Sequence, residues 1–239
     1  MSETQKTGRL VRGSISSTVS MGLRAGSNGN LHGVASRNHT RSKAYAEEWN
    51  IPLAFENYQQ MAESEVIDAV YIATPHTQHA ENSILCMKHG KAVLCEKPFA
   101  VNYGQAEEMV AQARKSSVLL MEGMWSRFPP LMTELREIIS SGEIGEIRTL
   151  QADFGFKPKT REPEGRLLNP NLAGGSLLDI GIYPISLASM VMGKPKSFVS
   201  DWHRGSTGID EQASCILKYD NGSMALLHSS LESETRQEA

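Results

Sequence analysis

Lys91-Ala-Val-Leu-Cys-Glu-Lys-Pro-Phe99 is the stretch whose reading decides the fold. Val93, Leu94 and Cys95 form a short apolar run of the kind that fills a buried parallel strand. The run stops on Glu96, Lys97 and Pro98. Proline has no N–H to give a ladder and restricts the residue before it to extended geometry, so Lys97 is held where the strand leaves the sheet. In open α/β sheets that carboxyl end is where ligands bind. A lysine fixed there beside a carboxylate is a candidate proton carrier. A surface turn carrying two charges is the plain alternative.

The same rhythm extends on both sides. Upstream, Val66 to Ala73 (VIDAVYIA) reads as a strand ending on Thr74-Pro75-His76, followed by a helix from Gln78 to His89 that Gly90 stops. Downstream, Tyr103 to Lys115 reads as a helix, and Val118 to Met121 as a strand running into Met124-Trp125-Ser126-Arg127-Phe128. Farther back, Leu31 to Ala35 reads as a strand ending on Ser36-Arg37-Asn38, and Thr40 to Trp49 and Tyr58 to Ser64 as helices. Strict β–α alternation argues for a parallel sheet with helical crossovers. Ligands would gather at the strand exits, around Ser36, Thr74, Glu96 and Trp125. The N-terminal end breaks the rhythm. Met1 to Lys6 is polar, and Val11, Ile15, Val19 and Leu23 recur at helical spacing. The first strand of the sheet is therefore expected to be missing, with Gly8 the remnant of a glycine turn.

After Phe128 the pattern changes. Leu131 to Ser140 reads as a helix, Ile147 to Phe156 as a strand, and Lys157 to Leu172 as a polar loop. A helical segment, Leu177 to Met192, precedes strands at Phe198 to Trp202, Gln212 to Tyr219 and Ser223 to Ser230. Asp220-Asn221-Gly222 is a hairpin signal. The second half thus reads as an α+β domain on a mainly antiparallel sheet, giving domains of 1–125 and 126–239. Within Gly174-Gly-Ser-Leu-Leu-Asp-Ile-Gly-Ile-Tyr-Pro184, Asp179 and Tyr183 stand four apart, on one face of a helix. A carboxylate and a phenol so placed can orient a hydroxyl and pass its proton; a capped helix with local hydrogen bonds is the alternative.

Composition sets the outer bounds. The chain has 239 residues, 40% hydrophobic and 21% charged, with a formal net charge of −3 and no basic run. That argues against a nucleic-acid groove. Cys86, Cys95 and Cys215 lack metal-ligand spacing and read as reduced structural thiols of a cytoplasmic protein, with no metal. No stretch approaches ~18 consecutive apolar residues, so no membrane span is expected.

Taken together, GVASRN, DAVYIATPHTQHAE, AVLCEKPFAVN, MEGMWSRFPP and GGSLLDIGIYP resemble, in order, the glucose–fructose oxidoreductase / inositol dehydrogenase / MocA family. MWSRF and LLDIGIYP are most similar to its branch of NADP-dependent dihydrodiol dehydrogenases and D-xylose 1-dehydrogenases. The resemblance implies a Rossmann-like domain followed by a substrate domain, and hydride transfer between NADP(H), with NAD second, and a small sugar, polyol or diol. It implies catalytic roles for Lys97, Tyr183 and Asp179. It implies cofactor contacts at Gly8, Ser36, Arg37, Arg41, Thr74, Pro75, His76, Glu96, Lys97, Trp125 and Arg127. Substrate contacts would come from His76, Phe154, Asp179 and Tyr183, and the family implies a homodimer. Dinucleotide domains that prefer NAD carry an acid after the second strand; here Ser36, Arg37 and Arg41 stand in its place, suited to a 2′-phosphate. Against the family pattern both ends look cut. A non-catalytic relative with impaired cofactor binding is therefore the second reading.

Overall fold

A computed structural model describes residues 5–10, 19–22 and 29–239 of the chain. These divide into two compact units, Met1–Gly123 and Met124–Ala239.

The first unit is built on six strands: β1 (Gln5–Leu10), β2 (Gly29–Ala35), β3 (Leu53–Phe55), β4 (Ala69–Ile72), β5 (Ala92–Glu96) and β6 (Leu120–Gly123). They lie in the order β3-β2-β1-β4-β5-β6, and every pairing is parallel. Parallel strands need crossovers. Helices occupy the connections after β2: α1 (His39–Glu48), α2 (Tyr58–Glu63), α3 (His79–Lys88) and α4 (Tyr103–Ser116). Asparagines start three of them; the side chains of Asn38, Asn57 and Asn102 accept from the backbone N–H three residues on. The main core lies between the sheet and these helices, with Met61, Ile67, Ile72, Met87 and Met109 fully buried. Each such side chain contributes about 1.5–3 kcal/mol by leaving water.

The expected absence of the first strand is corrected. Gln5–Leu10 is a strand, and it pairs along one edge with β2 and along the other with β4. The ladder is made by backbone groups, which any side chain leaves available. A polar run such as QKTGRL can therefore hold a central position that an apolarity test misses. The part of the argument for an impaired dinucleotide site that rested on the missing strand falls with it; the part that rested on the missing glycine turn concerns the segment after β1, over 11–18, which lies outside the described residues. Gly8 is corrected too: it sits inside β1, opposite Gly33 and Val70, not in a turn. The helix expected from Thr7 is a strand through Leu10; its continuation over 11–18 and 23–24 lies outside the described residues. Strand β3, with three residues, has no counterpart in the sequence reading.

The second unit carries α5 (Pro130–Ser141), β7 (Thr149–Gly155), α6 (Ile182–Met192), β8 (Ser197–Arg204), β9 (Asp210–Lys218) and β10 (Met224–Ser230). The sheet order is β7-β10-β9-β8; β7 and β10 are parallel and the other pairs antiparallel. Ala152, Ala188, Ala225 and Leu227 form a core between the sheet and α6, with Ile185 and Leu187 against it. Edge strand β8 is exposed throughout, including Phe198 and Trp202. Pro170–Met192 is long and apolar enough, by length and composition alone, to cross a membrane. It is nevertheless broken into a 3-10 turn, a π-helical turn (Leu177–Gly181) and α6, and it buries the charged Asp179.

Candidate functional site

Each unit holds one cluster of the residues singled out in the sequence. In the first unit they lie where the parallel strands end. Ser36 follows β2, and its hydroxyl accepts from the Asn38 N–H at 3.3 Å. Asn38 then caps α1, leaving Arg37 and Arg41 exposed at the start of that helix, whose first turn carries no acidic residue. After β4, Thr74 and His76 are buried, and the Thr74 hydroxyl accepts from Asn82 at 3.3 Å.

The turn after β5 is fixed from several directions. The Tyr71 hydroxyl donates to Glu96 Oε1, while Glu96 Oε2 accepts from the Lys97 backbone N–H at 3.2 Å. Glu122 accepts from the Phe99 N–H at 3.2 Å. The peptide bond between Lys97 and Pro98 is cis. Buried His79 bridges two strand exits, with Nδ1 2.8 Å from the Pro98 carbonyl and Nε2 2.9 Å from the Thr74 carbonyl. Burial holds the His79 imidazole below the usual histidine range; the two carbonyls and Glu96 oppose this, and Lys97 adds to it. Beside the turn, burial pushes the Cys95 thiol up to about 12, which keeps it protonated. Gly123 of β6 closes the far side: a Cβ there would stand 3.2 Å from the Cys95 carbonyl and 3.3 Å from Glu96 Oε1.

In the second unit, Tyr183 lies between two aromatic rings. Its hydroxyl accepts from the Trp125 indole N–H at 3.0 Å. The Trp125 ring meets it edge-on at 6.0 Å, and the Phe154 ring is tilted against it at 5.4 Å. An indole N–H only donates, so the phenol keeps its own proton for another acceptor. Asp179 is buried in the π-helical turn and pairs with Arg166 at 2.7 Å. A glycine makes this local structure possible. Gly175 has φ +130°, and a Cβ there would fall 2.1 Å from Asp210 Oδ1. Asp210 caps the turn, accepting from Ser176 Oγ at 2.8 Å and the Leu177 N–H at 2.6 Å. Asp179 lies in the π-helical turn and Tyr183 in the first turn of α6, which continues it directly. The Arg127 carbonyl accepts from Arg136 at 2.7 Å.

Sequence reading missed Tyr71, His79 as a bridge, Arg166 and Asp210. Each was ordinary in its local context; the partner that gives it a role is 13 to 34 positions away, except at the nearer His79–Thr74 contact.

Comparison with known proteins identifies the family of both units. Residues 13–124 match the family model "Oxidoreductase family, NAD-binding Rossmann fold", and residues 132–239 match the GFO/IDH/MocA C-terminal domain. The trans-1,2-dihydrobenzene-1,2-diol dehydrogenase of Mus musculus is 43% identical over 191 residues, 79% of this chain and 56% of that protein. The protein of the same name from Homo sapiens is 40% identical over 78% of this chain and 55% of its own length. The chain thus spans a little over half the length of these relatives. A 3-ketoreductase of Actinomadura kijaniata, crystallised with NADP and TDP-benzene, superposes with a TM-score of 0.89 at 29% identity, covering 98% of this chain and 72% of that one.

Proposed function

Since the chain belongs to the GFO/IDH/MocA oxidoreductase family and carries its NAD-binding Rossmann domain, we propose that it works as an NADP(H)-dependent dehydrogenase on a small cyclic diol, polyol or sugar such as D-xylose. The observation that carries this reading is the fixed turn after β5, which holds Lys97 at the carboxyl end of a parallel strand. Exposed Arg37 and Arg41 at the N-terminus of α1 fit the adenosine end of the cofactor, since paired guanidinium groups suit a 2′-phosphate. Thr74, Pro75, His76, Glu96, Trp125 and Arg127 would line the rest of the cofactor, by family likeness.

When bound, the nicotinamide supplies or accepts the hydride at C4. The chain's own residues handle the proton and the alignment. By family likeness, Lys97 of the first unit and Tyr183 of the second are each assigned a proton-carrying role. Asp179, held by Arg166, orients the substrate, with His76 and Phe154 lending contact. The relatives' name supports a diol, because they act on trans-1,2-dihydrobenzene-1,2-diol by that name. The exposed apolar residues of β8 support a homodimer, and the cysteine pattern a cytoplasmic location.

Calorimetric titration with NADPH and NADH, paired with oxidation assays on trans-1,2-dihydrobenzene-1,2-diol and D-xylose, tests this reading. NADPH is expected to bind more tightly. Equal or tighter NADH binding would refute the cofactor choice, and absent turnover on either substrate would refute the activity.

A further inference from the structure

Tyr71 lies on β4, opposite Leu94 of β5, and is 2% exposed. Burying a phenol hydroxyl costs free energy unless it is hydrogen-bonded, and Phe would fill the same space without that cost. Here the hydroxyl donates to Glu96 Oε1, one residue before Lys97. The other carboxylate oxygen accepts from the Lys97 backbone N–H. The carboxylate is thus tied at both oxygens, once to a neighbouring strand and once to the backbone from which the Lys97 side chain leaves. On its third side, Gly123 of β6 allows close approach; any Cβ there would press on Glu96 Cα and Oε1 at 3.3 Å. Three strands therefore converge on one carboxylate.

We propose that Tyr71 is a positioning residue for Lys97, acting through Glu96, with Gly123 as the necessary space on the opposite side. The proposal rests on Lys97 being a proton carrier, as argued above. Its physical reason is that misplacing a reacting group by ~1 Å can cost on the order of 10²-fold in rate. A hydroxyl deletion that lets Glu96 turn would move the Lys97 backbone while leaving the apolar packing of β4 intact.

The test is Tyr71→Phe, read in two independent ways. The first is turnover: kcat is expected to fall by about tenfold or more with KM for NADPH within about twofold, the signature of lost positioning and not lost binding. The second needs no turnover. Lys97 is labelled with an amine-reactive anhydride and quantified by mass spectrometry against Lys91 and Lys115 in the same chain. Its relative labelling rate should change by about threefold or more, while the two reference lysines keep theirs and the variant still unfolds cooperatively. If Tyr71→Phe does not fold, Gly123→Ala presses on the same carboxylate from the other side and should give the same labelling signature. An unchanged Lys97 labelling rate in a folded variant overturns the proposal. If the unaltered chain shows no dehydrogenase turnover but Tyr71→Phe still changes Lys97 labelling, the dehydrogenase reading fails and the positioning stands.

Discussion

The two proposed proton carriers are held by different kinds of force. Lys97 sits in a turn fixed by buried and half-buried hydrogen bonds to Tyr71, His79 and Glu122, each on a different element of the first unit. Tyr183 is clasped by two aromatic rings and one indole N–H, with Trp125 itself largely exposed. Buried polar networks are costly to break, because each lost partner strands another group away from water. Partly exposed aromatic contacts are worth about 0.5–1.5 kcal/mol each, and water stands in for a lost donor. The first unit should therefore respond sharply to single-atom deletions, and the second gently.

The largest effect expected is on turnover. Lys97→Ala should lower kcat by roughly 10²–10⁴-fold, the range of a general acid–base group, while NADPH affinity stays within a small factor. Steady-state kinetics with calorimetry on the same preparation checks both. A variant with near-normal kcat would make Lys97 structural and leave Tyr183 as the carrier.

Next comes stability. His79→Ala should destabilise the first unit by about 1–3 kcal/mol in urea unfolding, since a neutral imidazole has one N–H and its loss strands whichever of the Thr74 and Pro98 carbonyls that N–H serves. The pH dependence follows from burial, which holds His79 below the usual histidine range. As pH falls through the unfolded value near ~6.5, the unfolded chain takes up a proton that the folded one resists. Stability is then full above that pH and declines below it, by at most ~1.4 kcal/mol per pH unit from this group. His79→Ala should remove that slope. A stability curve that rises on acidification between pH 6.5 and 5 would contradict it.

How far the sequence could be read follows the same division of forces. Strands β4 and β5 announced themselves because VIDAVYIA and AVLC are apolar runs that parallel burial demands. Strand β1 was invisible because its ladder is made by backbone groups and QKTGRL carries one aliphatic residue. Strand β3 was too short for any period to show. Lys97, Tyr183 and Asp179 could be singled out from local patterns, the proline after one and the glycine pair before the others. Their partners could not, because Tyr71 reaches Glu96 across 25 positions and Asp210 reaches Leu177 across 33.

The smallest effect sharpens the contrast most. Trp125→Phe keeps one aromatic ring against Tyr183 and removes the indole N–H that the phenol accepts at 3.0 Å, together with the five-membered ring that carries it. A neutral hydrogen bond in a partly exposed place contributes about 0.5–1.5 kcal/mol net, so the loss in kcat should stay within about tenfold. Trp125→Ala removes the ring as well and should cost more, because Tyr183 then keeps Phe154 as its remaining aromatic support in this cluster. Comparing the two variants by kcat at saturating cofactor separates the bond from the ring. Should Trp125→Phe alone cost as much as Lys97→Ala, the indole N–H would be setting the phenol's position by itself. The second unit would then be as sharply tuned as the first, and the distinction between an interior held by hydrogen bonds and a surface held by rings would collapse.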